Sequence, residues 1–105
     1  MRSITAEQYR AMETEGVFQL AVMDLARALG WEPVHFRQMI GNPSGYPDLT
    51  IIRGERVILA ELKRETGKVS RRQQEWIDRM AAVGTTVHVW RPSDWDAIRE
   101  ALGGG

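Results

Sequence analysis

Residues 46–63 constrain the fold of this chain more than any other stretch. Two apolar runs rich in β-branched residues, Leu49-Thr50-Ile51-Ile52 and Val57-Ile58-Leu59-Ala60, flank the polar break Arg53-Gly54-Glu55-Arg56. That pattern predicts a β-hairpin with a four-residue connection. With Ile52 facing Val57, the antiparallel register puts Asp48 opposite Glu61, and directly opposed Cβ atoms lie about 4.5–5.5 Å apart. Lys63, two residues past Glu61, points to the same face. One end of one face then carries two carboxylates and an ammonium. Opposed like charges destabilise a sheet, so the pair calls for a cation. Lys63 serves in part; a divalent ion held by oxygens fits better.

The rest of the chain supplies elements around this hairpin. Thr5-Ala6-Glu7-Gln8 has the form of a capping box, and Thr14-Glu15 offers a second helix start. A long helix through Leu29 is expected, broken near Met12 to Gly16, with Phe18, Val22, Leu25 and Leu29 as its inward stripe and Gly30 as its stop. Glu15 continues that stripe backwards, three residues before Phe18; a first-turn acid favoured by the helix dipole is the plain alternative. Pro33 to Arg37 reads as a short strand and Met39 to Gly45 as a loop running into Asp48. After Lys63, Ser70-Arg71-Arg72-Gln73 is another capping box, opening a helix to about Val83 with Trp76, Ile77 and Met80 as its buried stripe. Thr86 to Trp90 reads as a strand. Pro92 ends it, Ser93 caps a last helix with Asp96 at the capping-box position, and Trp95, Ile98 and Leu102 face inward. Gly103-Gly104-Gly105 reads as a frayed tail.

The order αβββαβα predicts an α/β sandwich around a mixed sheet of about four strands, with a right-handed parallel crossover from the hairpin to the Thr86 strand. A chain of 105 residues, 43% hydrophobic, suits one domain over 1–105 with its core at about 15–102. It has no cysteine, which excludes disulfides and thiolate metal sites. It has no apolar run near the ~20 residues of a membrane helix and no signal-peptide core, so a soluble cytoplasmic protein with no membrane partner is the expectation. Net charge is zero, which argues against a strongly basic nucleic-acid coat. Yet Lys63, Arg64, Lys68, Arg71 and Arg72 stand against only Glu65 directly after the carboxylates, so phosphate contacts compete with a merely solvated face. His35 and His88 have no second ligand at metal spacing and read as structural. The four tryptophans read as core at their strand and helix spacing, with base stacking as the alternative; Trp31 is undecided.

Pro47-Asp48 followed by Glu61-Leu62-Lys63 after a hairpin-length gap resembles the PD-(D/E)xK nuclease superfamily. The ordered set Gly45-Tyr46-Pro47-Asp48-Leu49, Glu61-Leu62-Lys63, Gly67, Ser70, Gln73, Trp76, Gly84 and Val89-Trp90-Arg91-Pro92-Ser93-Asp94-Trp95 resembles its VRR-NUC (virus-type replication-repair nuclease) branch. The resemblance implies a restriction-endonuclease-like fold and metal-dependent phosphodiester hydrolysis. It implies Asp48, Glu61 and the Leu62 backbone carbonyl as metal ligands, with Glu15 joining directly or through water. Lys63 would orient or help deprotonate the attacking water. Gln73 has a structural explanation as a capping residue, and in the resembled family a Gln at this helix start borders the active site. All-oxygen ligation favours Mg²⁺ or Mn²⁺, and no small-molecule cofactor is implied.

Standalone members of the resembled family are small proteins of bacteria or phages associated with branched DNA, which implies a four-way-junction (Holliday-junction) endonuclease in a bacterial or phage-infected cell. A flap, end-processing or restriction-like duplex nuclease, and an inactive nucleic-acid-binding module, are the alternatives. Intact Asp48, Glu61 and Lys63 count against the last. The two-fold symmetry of junction cleavage suggests a homodimer, with Tyr9, Met12 and Trp31 as contact candidates.

Overall fold

A computed structural model describes residues 5–35 and 44–103 of the chain. Helices α1 (Ala6–Ala11) and α2 (Glu15–Ala28) are followed by strands β1 (Glu32–His35), β2 (Leu49–Arg53) and β3 (Arg56–Leu62), helix α3 (Arg71–Ala82), strand β4 (Thr86–Trp90), a 3-10 turn (Pro92–Asp94) and helix α4 (Trp95–Gly103). One four-stranded sheet runs in the order β1-β2-β3-β4. The first two pairings are antiparallel and β3–β4 is parallel. The expected α/β sandwich with a mixed sheet is what forms.

The hairpin register is the expected one, with Ile52 against Val57. Alternation along β2 and β3 sends Leu49, Ile51, Ile58, Ala60 and Leu62 to one face, where they join Phe18, Val22 and Ala26 of α2 and Ile98 and Leu102 of α4 in the core. Each such large apolar side chain contributes roughly 1.5–3 kcal/mol through burial. The opposite face carries Thr50, Ile52, Val57, Leu59 and Glu61. Its hairpin end is open to solvent, with Ile52 and Val57 more than 40% exposed.

The first helical stretch is broken where expected, with Thr14 capping α2 by accepting the Val17 N–H at 3.2 Å. Several other local expectations shift. Glu15 is therefore a first-turn residue of α2 and is exposed; it does not extend the inward stripe. The next buried position after Val22 is Ala26, with Leu25 and Leu29 only packed against the core edge. In α3 no residue is fully buried, so Trp76, Ile77 and Met80 form a half-covered contact. Ser93 does not cap α4: Arg91 opens the 3-10 turn, its N–H donating to the Asp94 carboxylate at 2.9 Å. Pro92 at the head of that turn has no N–H with which to continue the strand's pairing, and its fixed φ suits a helical first position. Gly103 is the last residue of α4. The expected loop 39–45 falls mostly outside the described residues, as do Phe36 and Arg37 of the expected strand and Gly104-Gly105 of the tail.

The three residues put forward for a dimer contact are engaged within the chain. Met12 and Trp31 are each only 3% exposed. Trp31 donates its indole N–H to the Leu102 carbonyl at 2.7 Å and lies under the Arg53 guanidinium, so it is neither a base-stacking platform nor a docking residue. The Tyr9 hydroxyl donates to Glu65 at 2.7 Å.

Candidate active site

Strand β2 begins at Leu49, so Asp48 sits one residue outside the ladder. Its carboxylate accepts the Leu62 backbone N–H at 2.9 Å, extending the hairpin's pairing with a side chain in place of a carbonyl. This turns Asp48 toward Glu61, as the register anticipated. Glu61, near the end of β3, is 1% exposed. One of its oxygens, Oε2, accepts from the Gln73 side-chain amide at 3.2 Å. The other, Oε1, is buried with no hydrogen-bond partner among the described residues.

Gln73 is the capping residue anticipated for α3, and it also touches Glu61. Its side-chain oxygen accepts the Ser70 N–H at 2.8 Å while its own N–H donates to the Ser70 hydroxyl at 3.1 Å, a complete capping box. The remaining amide N–H₂ is what reaches Glu61.

Burial, first, and then the Asp48 carboxyl close beside it push Glu61 up from 4.5 to about 9; Glu15 adds to this and Lys63 opposes it. A carboxyl in low dielectric beside a second carboxylate keeps its proton. Without a cation the pair therefore keeps one proton at neutral pH.

Two oxygen-donor groups in contact, one with an orphaned buried oxygen, fit a hard divalent cation. No three acidic or histidine side chains among the described residues form a metal cluster. Glu15 stands outside the pair, exposed, and its charge acts on Glu61 only electrostatically. It belongs to the first turn of α2, and its part in the site, direct or through water, stays a proposal.

Lys63 follows β3 half-buried, its backbone N–H donating to the Trp90 carbonyl at 3.0 Å. The cations Arg64, Lys68, Arg71 and Arg72 are all exposed, spread over the loop after β3 and the first turn of α3. Arg71 pairs with Glu75 at 3.4 Å, a surface pair of little energetic weight. His88 stacks on Trp90, ring centroids 5.1 Å apart, and burial lowers its pKa; it is a packing residue.

The motif reading assigned no task to two residues that fix the loop carrying Lys63. Arg91 donates to the carbonyls of Arg64 at 2.8 Å and Gly67 at 2.7 Å. Glu65 accepts from Tyr9 and, at 3.0 Å, from the Ser93 N–H. These contacts hold Glu65 ionised at lower pH than an ordinary carboxyl, against the opposing effect of its desolvation. Glu65 was legible only as the single acid in a basic run, so nothing in the spacing marked its long-range bonds.

The family model of the VRR-NUC domain matches residues 19–94. A solved structure described as a VRR_NUC domain is similar to this chain at 27% identity with a TM-score of 0.71, over 82% of this chain and 94% of that one. No curated protein matches the chain significantly.

Proposed function

This chain belongs to the VRR-NUC domain family, a nuclease family of the PD-(D/E)xK type, and we propose that it is a divalent-metal-dependent, structure-specific DNA endonuclease acting on branched DNA, four-way junctions foremost. The observation that carries the reading is Glu61: a buried carboxyl facing Asp48, with one oxygen that has no partner among the described residues. Leaving such a group unsatisfied costs about 1–3 kcal/mol, more when it is charged, and a cation offsets that cost.

Asp48, Glu61 and the Leu62 carbonyl would hold Mg²⁺ or Mn²⁺, with Glu15 contributing through water. When bound, the ion supplies Lewis-acid polarisation of the phosphate and a lowered pKa for a bound water. The chain's own residues do the rest. Gln73 fixes the Glu61 carboxylate through its side-chain amide. Lys63 places an ammonium on the same face to orient the attacking water and offset charge developing on the phosphate. Arg64, Lys68, Arg71 and Arg72 bind the flanking phosphates and so position the strand, without reading its sequence. Phosphate contacts of this kind read DNA shape rather than base sequence, and the setting we propose is the cytoplasm of a bacterium or of a phage-infected cell. A homodimer would present two sites with the junction's two-fold symmetry; its contact is not made by Met12 or Trp31.

The test is cleavage of labelled duplex, flap and four-way-junction DNA with Mg²⁺, Mn²⁺ or EDTA, together with solution mass by light scattering. Paired symmetric nicks in the junction by a dimer, abolished by EDTA, are expected. Full activity in EDTA overturns the metal site. Single unpaired nicks by a monomer overturn the junction reading in favour of a flap or duplex nuclease.

A further inference from the structure

Helix α3 grips the segment that delivers Asp48 at three points. The indole N–H of Trp76 donates to the Ser44 carbonyl at 3.1 Å. The Tyr46 ring meets Trp76 edge-to-face, centroids 5.2 Å apart at 73°. Between them Gly45, at φ 83°, lies so close to the helix that a Cβ there would come within 2.7 Å of the Arg72 carbonyl carbon and 2.8 Å of the Gln73 nitrogen. No side chain fits that gap, and the positive φ itself favours glycine. The next residue, Pro47, is fully buried and its ring fixes φ. Asp48 follows immediately.

We infer that Trp76 is a positioning residue for Asp48. Gln73 and Trp76 are three apart on one face of α3. The first holds Glu61 and the second holds the turn that carries Asp48, so one helix sets the relation between both carboxylates. Simple core packing does not account for Trp76, because it is only half-buried in a helix that buries no residue fully. Stacking on a DNA base does not account for it either. Its N–H is committed to Ser44, and its ring is occupied by Tyr46 and by the Arg79 guanidinium 4.7 Å from its centre. The inference deepens the proposed metal site, but its first test needs neither metal nor DNA.

That test is amide hydrogen exchange of Leu62, whose N–H is held by the Asp48 carboxylate, in the Trp76→Phe variant in EDTA. Phe keeps an aromatic ring against Tyr46 and removes the bond to Ser44. Loss of one neutral hydrogen bond in the docking of this turn is worth roughly a three- to tenfold change, so Leu62 should exchange faster by about that factor. The Lys63 amide, bonded to Trp90, is the internal reference and should not change. The same factor is expected as a weaker Mn²⁺ affinity measured by calorimetry, with DNA affinity in EDTA unaltered. Ile98→Val, which trims the opposite layer of the core, serves as a variant of lowered melting temperature that should leave both readouts alone.

If Leu62 and Lys63 accelerate together, or Leu62 is unchanged while Tm falls, Trp76 is a packing residue only and the inference is overturned. A loss of DNA affinity with Leu62 unchanged also overturns it and assigns the ring to the DNA. If the wild-type chain binds no Mn²⁺, the metal reading falls, while the Leu62 exchange still decides the role of Trp76.

Discussion

Replacing Glu61 by Gln should make this protein more stable at alkaline pH, and the effect follows from the proton the buried carboxyl keeps. In the folded chain Glu61 titrates at about 9 instead of 4.5. Between those values the folded state retains a proton that the unfolded state has released. Stability that is fully present below the unfolded pKa is therefore lost as pH rises toward the folded one, at up to about 1.4 kcal/mol per pH unit. Among the described groups whose pKa the fold shifts, Glu61 alone responds strongly in the window from pH 7 to 8.5. His88, lowered by burial, titrates below it in both states, and Tyr9, raised above 10.0 by its bond to Glu65, titrates above it. Across that window the wild type in EDTA should lose about 2 kcal/mol, which for a domain of this size is on the order of 10 °C in Tm. The Glu61→Gln variant, neutral throughout, should show a nearly flat profile and overtake the wild type at pH 8.5. Thermal melts followed by circular dichroism at four pH values suffice. A wild-type Tm that does not fall from pH 7 to 8.5, or a Gln variant that falls in parallel, refutes the argument that Glu61 holds its proton because of burial and Asp48. Mn²⁺ should reverse the wild-type loss, because a metal takes the deprotonated carboxylate and releases that proton.

The remaining expectations concern activity. Asp48→Ala should abolish Mg²⁺-dependent cleavage and accelerate Leu62 amide exchange while leaving the chain folded, as read by turnover and circular dichroism; retained cleavage would remove Asp48 from the site. Lys63→Met should lower the rate of the chemical step more than it weakens DNA binding, measured by single-turnover kinetics against a binding isotherm; equal losses would make Lys63 a phosphate anchor. Arg71→Ala with Arg72→Ala should mainly weaken binding and reduce the slope of log affinity against log salt by roughly one per lost phosphate contact; an unchanged slope would point those side chains away from DNA.

What was readable from residue order alone is what short-range physics decides. The alternation of Ile51-Ile52 and Val57-Ile58 about Gly54 settled the hairpin and its Ile52–Val57 register, because strand period and turn chemistry act over a few residues. Thr14 and Ser70 announced the starts of α2 and α3, since a cap needs only its own helix turn. From the register came the meeting of Asp48 and Glu61, and from the capping box came Gln73. Packing across the chain decided the rest. Asp48 leaves the ladder to take the Leu62 N–H, a choice open only once β3 is in place. Gln73 reaches Glu61 because α3 is laid on that face of the sheet. Glu15 lands in an exposed first turn, off the inward stripe, because of the break before α2. Met12 and Trp31, apolar and plausible as an outer contact, are taken by the core, and Trp76, with the spacing of a core residue, stays half-exposed and holds Ser44 instead. The hydrogen bonds involved join residues 12 to 71 positions apart. Periodicity reports which face of an element is apolar, but only the assembled layers determine which polar groups meet there and which of them go without a partner.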